Sequence, residues 1–171
     1  MTLILLGIIA LGIVLDQATK LLVVHTMELW QSIPLIPNIF HFTYIQNKGA
    51  AFGSMADQRW LFMIVSTVSI VAISIYVFVF GHKNSKLLNI ALAMIVSGGI
   101  GNMIDRVRLG YVIDFFDFCA FPFWTWIFNI ADIMVVIGCG LVFLSVILDT
   151  AKESKAKKAK NAEETHAENN A

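Results

Sequence analysis

The sequence predicts an all-α membrane protein: four transmembrane helices, with a small extramembrane β segment and an interfacial helix or loop on one side of the bilayer. Three observations carry this. Of 171 residues, 58% are hydrophobic and only 14% charged, against about 25% charged in an ordinary soluble domain; mean hydropathy is +0.77. Four windows are apolar over the roughly 20 residues that a helix needs to cross a hydrocarbon core about 30 Å thick. Charge is also scarce, since residues 1–148 hold seven basic and seven acidic side chains, so each can be read on its own.

The first span covers about 3–24. It lacks the basic n-region and small-x-small cleavage site of a secretory leader and continues past Asp16 and Lys20 into further aliphatic residues, so a retained helix is expected. Residues 25–59 are too polar to span. Within them, Phe40, Phe42 and Tyr44 share one period-two face and His41 and Thr43 the other, after the breakers Pro34 and Pro37; this predicts a short β segment. Spans two and three, 60–80 and 87–105, are joined by a short turn. The aromatic and acidic connection 106–122 suits the membrane interface, and the fourth span covers 123–148. Residues 1–148 thus form one membrane domain. Residues 149–171, rich in Lys, Ala, Glu and Asn, are expected as a solvated tail, helical near the membrane and otherwise disordered. No internal repeat is present.

Orientation follows from basic residues in short loops and flanks. Lys83 and Lys86 with Lys152, Lys155, Lys157, Lys158 and Lys160 put seven cations on one side, against five on the other: Lys20, Lys48, Arg59, Arg106 and Arg108. Both termini are therefore expected in the cytoplasm. Trp30, Trp60, Trp124 and Trp126 fall at the opposite interface, where indole rings settle. Cys119 and Cys139 have no metal-ligand spacing and imply no disulfide framework.

The polar residues inside these spans narrow the chemistry. Asp16 and Lys20 stand in the favourable i,i+4 order, which an interfacial ion pair explains. Asn102, Asp105 and Arg106 share a face at the outer end of span three, after Gly98, Gly99 and Gly101, which admit a close helix neighbour. Asn129 and Asp132 are expected at i,i+3 about two turns inside span four. Asp132 has no basic neighbour in sequence, and a buried unpaired carboxylate is costly. Asp114, between apolar and aromatic residues, has the same character. If the two converge, they cannot both ionise easily and can hold one proton between them, as the two carboxyls of an aspartic protease do.

Five blocks, DQATK (16–20), NKGAAFG (47–53), GNMIDR (101–106), VIDFF (112–116) and FNIAD (128–132), occur in the order and spacing of lipoprotein signal peptidase, also called signal peptidase II, and the chain resembles that family over residues 10–148. The resemblance implies an aspartic endopeptidase of the bacterial cytoplasmic membrane that cleaves prolipoproteins just before a diacylglyceryl-modified cysteine. It implies no metal or other cofactor, membrane lipids and the lipidated substrate as partners, no nucleic acid, and a monomer. By motif, Asp114 and Asp132 are the catalytic dyad. Asn47, Asn102, Arg106 and Asn129 line the site and position the substrate, and Asp16, Lys20 and Asp105 support it. The 25–59 segment corresponds to the family's β-cradle and 106–122 to its mobile interfacial helix. Gly49, Ala50, Ala51 and Gly53 are candidates for close backbone approach to substrate. Asp117 receives no role.

Other classes fit less well. A proton-coupled carrier would place polar groups near the midplane, usually on repeated or broken helices. A serine–lysine protease would need Ser97 or Ser54 beside Lys20. A metal site could draw on Asp105, Asp114, Asp117 and Asp132, but the histidines are scattered and no HExxH is present. A non-catalytic assembly protein leaves two unpaired aspartates unexplained.

Overall fold

The computed structural model describes residues 1–49, 59–121 and 126–169. Four helices, α1 (Thr2–Thr26), α2 (Arg59–Phe80), α3 (Lys86–Arg108) and α4 (Ile130–Asn169), are joined by four short strands: β1 (Ser32–Ile36), β2 (Phe40–Asn47), β3 (Val112–Phe118) and β4 (Ile127–Phe128). Each helix contains a segment long and apolar enough to cross a membrane: Thr2–Thr26, Met63–Lys83, Lys86–Arg108 and Ile130–Lys155. Large apolar side chains such as Val14, Leu22, Val68, Ile75, Val136 and Phe143 point outward, as lipid-facing positions should.

α3 is the central helix, packed against α4, α1 and α2. Lipid is as apolar as a leucine side chain, so helices in a bilayer associate through close backbone approach and interhelical hydrogen bonds. Both are present. A Cβ on Gly98 would run into the carbonyl oxygen of Ala131 and the side chain of Val135, and one on Gly138 would meet Ile95 and the carbonyl of Ala91. The Ser97 hydroxyl donates to the carbonyl of Ile9 on α1 at 2.9 Å.

The four strands form one antiparallel sheet in the order β1-β2-β3-β4. Ile33, Phe42, Phe116 and Phe128 pair in one row across it, and ring centroids 5.7 Å apart for Phe42 and Phe116 and 5.8 Å for Phe116 and Phe128 mark an apolar face. The opposite face carries Ser32, Thr43 and Asp117, with hydroxyls 2.8 Å apart between Ser32 and Thr43 and Thr43 donating to Asp117 at 2.8 Å. Asp117 is thus a cross-strand partner on the sheet.

An irregularity in β2 decides what faces Asp114. Phe40, His41 and Phe42 pair with Phe118, Asp117 and Phe116, whereas Ile45, Gln46 and Asn47 pair with Asp114, Ile113 and Val112, so one extra residue of β2 lies between Phe42 and Ile45. Continued unbroken, the first register would set Tyr44 opposite Asp114 and Gln46 opposite Val112. The bulge puts Ile45 and Asn47 there instead, the re-aiming that bulges accomplish. Tyr44 turns to the bundle and packs with Val23, Ile113 and Phe115.

Three expectations change. The 106–122 connection is a strand over Val112–Phe118 rather than an interfacial helix; its apolar and aromatic residues find antiparallel partners on both edges. The fourth helix starts at Ile130, not near 123, because Ile127 and Phe128 pair with β3. The tail continues α4 as helix to Asn169, since it is built of strong helix formers and contains no Gly or Pro. Residues 50–58, which include Ala50, Ala51, Gly53 and Ser54, and 122–125, which include Trp124, lie outside the described residues.

Gly98→Val should therefore cost about 1–3 kcal/mol through overpacking and lower the unfolding midpoint in detergent. Gly140→Ala, with open space around its Cβ, should leave the midpoint unchanged or raise it.

Candidate active site

Lys20 lies on the inward face of α1 and is 1% exposed. An ammonium buried this deeply must find an acceptor for each of its N–H donors. It has three: Asp16 Oδ2 at 2.9 Å, one turn earlier, Asp105 Oδ2 on α3 at 2.9 Å, and Asn102 Oδ1 at 3.0 Å. The pair expected at an interface is instead the centre of a buried cluster.

Both carboxylates have further donors. The backbone N–H of Ala131, at the start of α4, donates to Asp16 Oδ1 at 3.0 Å, and that of Ile113 in β3 donates to Asp105 Oδ2 at 3.1 Å. Gln17 Nε2 lies 3.1 Å from Asp16 Oδ2, 3.0 Å from Asp105 Oδ1 and 3.2 Å from the carbonyl of Gly101. One lysine thus fixes α1, α3, α4 and β3 to each other. Gly101 is required beside it, because a Cβ there would press on the Asp16 carboxylate.

Asn102 carries the network onward. Its Oδ1 accepts from Lys20 and from Asn129 Nδ2 at 3.0 Å, while its Nδ2 donates to Asp132 Oδ1 at 2.7 Å. Asn129 precedes α4, and Asp132 stands in its first turn rather than two turns inside it. The Asp132 N–H donates to Asn129 Oδ1 at 3.0 Å and the Asn129 N–H to Asp132 Oδ2 at 3.2 Å. This reciprocal exchange is a capping box, and it gives Asp132 a structural job. The cap does not account for the Asn102 bond or for the second carboxylate close by.

That carboxylate is Asp114, 1% exposed in the middle of β3. Asn129 Nδ2 donates to its Oδ1 at 2.6 Å and Asn47 Nδ2 to its Oδ2 at 2.9 Å; the β2 bulge makes the second bond possible. Asn129 therefore touches both acids, Asp114 through its amide and Asp132 through its backbone N–H. Burial, and after it the charge of Asp132, push the Asp114 carboxyl up to about 7 from an ordinary 3.8, against the hydrogen bonds from Asn47 and Asn129 and the charge of Lys20. Such a group changes its protonation near neutrality, as a proton-transfer residue should.

Arg106 donates to the carbonyl of Asn102 at 3.4 Å, and its guanidinium interacts electrostatically with Asp132, Asp114 and Asp105. Asn47, Asn102, Arg106, Asn129, Asp114 and Asp132 are thus gathered in one place, with Asp16, Lys20 and Asp105 behind them. Among the described residues the other arrangements lose their parts: Ser97 donates to Ile9 rather than facing Lys20, Asp105 is held by Lys20, and Asp117 is held by Thr43 on the sheet. Sequence reasoning missed Gln17 and the backbone donors of Ile113 and Ala131. Gln17, an amide next to a buried acid in an apolar run, carried a usable signal; the backbone groups carried none.

Bundle and site together define a multi-pass membrane protein in which two acids, the buried Asp114 and the half-buried Asp132, are brought together on Asn129 beside a small sheet. The family model described as signal peptidase (SPase) II matches residues 8–148, and the chain belongs to that family, which makes it a peptidase. It is 42% identical over 137 residues to a lipoprotein signal peptidase of Halothermothrix orenii, covering 80% of this chain and 90% of that one. Identity is 48% over 131 residues to one of Caldanaerobacter subterraneus, covering 77% and 87%. Among solved structures, a bacterial membrane enzyme determined by the in meso method at 2.3 Å superposes with a TM-score of 0.76 at 31% identity, covering 86% of this chain and 90% of that one.

Replacing Lys20 by Met should leave Asp16 and Asp105 buried without their counter-ion, at a cost of about 3–5 kcal/mol. In detergent this should read as a large fall in unfolding midpoint or loss of the folded fraction on size exclusion.

Proposed function

We propose that the chain is an intramembrane aspartic endopeptidase that removes the signal peptide from diacylglyceryl-modified prolipoproteins, cleaving just before the lipidated cysteine. The observation that carries this reading is the meeting of Asp114 and Asp132 on Asn129, with the Asp114 carboxyl raised to about 7. Family membership supplies the reaction class, and the two acids supply the means.

A water molecule bound between the acids attacks the scissile carbonyl carbon. Asp132 takes the proton of that water, while the Asp114 carboxyl gives its proton to the carbonyl oxygen, yielding a neutral tetrahedral diol. Collapse of the diol breaks the C–N bond; the leaving nitrogen takes a proton from Asp132, and Asp114 recovers one from the diol hydroxyl. Water is consumed, a carboxyl and an amine are released, and the dyad returns to its starting state. Both proton carriers are carboxyl groups, so the scheme draws on no cofactor.

The surrounding residues have positioning work. Asn47 and Asn129 orient Asp114, Asn102 orients Asp132, and Lys20 with Asp16 and Asp105 holds Asn102. Arg106, a cation beside the dyad, binds the substrate backbone or the ester oxygens of its lipid. The substrate stays in the bilayer, so the scissile bond arrives at the interface where the sheet covers the helix ends; with both termini in the cytoplasm, this is the outer face. The chain acts as a monomer, with 1–148 as the peptidase unit and 149–171 as an appendage to it.

Purified protein in detergent should cleave a diacylglyceryl-modified prolipoprotein. Asp114→Asn and Asp132→Asn should each lower the rate by at least about 100-fold, the lower end of general acid–base contributions. Since Asp114 acts first as an acid, the rate should fall as pH rises through about 7. Cleavage that persists in either variant, or that a chelator abolishes, would sink the dyad.

A further inference from the structure

The end of the bundle away from the dyad holds a second polar construction that the peptidase reading does not use. From Asp132 to Asp149 along α4 is about 26 Å at 1.5 Å per residue, close to one hydrocarbon thickness. A cleft of about 470 Å³ opens there between the α2–α3 turn and α4, lined by Lys83, Asn84, Ser85, Leu88, Asp149, Lys152 and Glu153.

Its walls are fixed by hydrogen bonds, most of them part-buried. Asn89, 1% exposed, donates to the carbonyl of Gly81 at 2.7 Å and accepts from Asn84 at 3.1 Å, and Tyr76 donates to Asn84 at 3.1 Å. Ser85 and the 2%-exposed Ser145 place their hydroxyls 2.8 Å apart, and Ser145 donates to Asp149 at 3.3 Å. The turn is thereby pinned to α4, and Lys83 faces the same space as Lys152. Interhelical hydrogen bonds of this kind hold helix ends together in a bilayer, so the cleft they frame keeps its shape.

The lining chemistry is mixed in a particular way: two ammonium groups, two carboxylates, and an apolar floor at Leu88. Beside it α4 exposes Leu144, Ile147 and Leu148 to lipid. The Lys152–Asp149 pair, 3.3 Å long with the Lys side chain 73% exposed, is the kind of surface pair that contributes little and exchanges readily.

We infer that this cleft binds the head group of a bilayer phospholipid carrying a primary ammonium, a phosphoethanolamine diester, in the leaflet opposite the dyad. Lys83 and Lys152 take the phosphate, Glu153 and Asp149 take the ammonium, and the acyl chains run down the apolar side of α4. A purely anionic head group would leave the two carboxylates facing like charge, and a trimethylated ammonium would offer them no N–H donor. Soluble phosphoethanolamine esters share the polar chemistry but lack chains for the apolar flank.

The test is native mass spectrometry of the full chain in detergent, titrated with phosphatidylethanolamine, phosphatidylglycerol, phosphatidylcholine of matched chains, and glycerophosphoethanolamine. Phosphatidylethanolamine should bind about two- to fivefold tighter than the other three, the scale of one exposed ionic contact. Glu153→Gln should bring its affinity to the level of phosphatidylcholine. Lys83→Gln, and independently Lys152→Gln, should weaken all three phospholipids alike. Equal binding of phosphatidylglycerol, or a Glu153→Gln variant that keeps the full preference, would overturn the assignment. Glycerophosphoethanolamine binding as well as the lipid would overturn the lipid as its source.

Discussion

A buried ammonium with three donors must be surrounded by acceptors, and in this chain that requirement at Lys20 organises the rest. Asp16 is supplied by the same helix, Asp105 and Asn102 by α3. Satisfying the two carboxylates then draws in the first residues of α4 and of β3 through the backbone N–H groups of Ala131 and Ile113. Hydrophobic collapse cannot specify helix arrangement inside lipid, where every face is equally content with an aliphatic solvent. An ion cluster with one satisfiable geometry can. The registry of the bundle and the position of the polar pocket are consequences of the same constraint.

The sheet adds a second condition. Asp114 would be an ordinary strand residue if β2 ran opposite it without interruption; the bulge between Phe42 and Ile45 brings Asn47 to the Asp114 face and returns Tyr44 to the core. On one side of Asn129 stands a carboxyl held by a strand, and on the other a carboxyl held by a helix cap. Rigid elements of two kinds thus meet at a single asparagine, which keeps the spacing of the two acids. Burial, and after it the charge of Asp132, raise the affinity of Asp114 for protons, while Lys20 reaches it only through Asn102 and Asn129.

Much of this was legible in the residues. Four apolar windows on a chain poor in charge leave few alternatives to four spans, and acids such as Asp114 and Asp132 stand out because burial makes them costly. Helix ends were less legible, since hydropathy cannot tell Ile127 and Phe128 in a strand from the same residues in a span; pairing with β3 decided it. The 106–122 segment misled for a similar reason, because Val112, Ile113, Phe115 and Phe116 suit an interface and a strand equally. Gln17 and the bulge in β2 depend on which neighbours arrive in space. The capping role of Asp132 is invisible to hydropathy, which starts the helix seven residues before Ile130. In the tail, charge points to disorder while the Ala, Lys and Glu content favours the helix that forms.

Burial and the charge of Asp132 should keep a proton on Asp114 near neutrality. Infrared difference spectroscopy on protein labelled with ¹³C-carboxyl aspartate reads this directly, through the protonated carboxyl C=O band as a function of pH. A band present at pH 6 should titrate away with a midpoint near 7 and be absent from Asp114→Asn. No protonated aspartate above pH 5, or a band that survives unchanged in that variant, would contradict it.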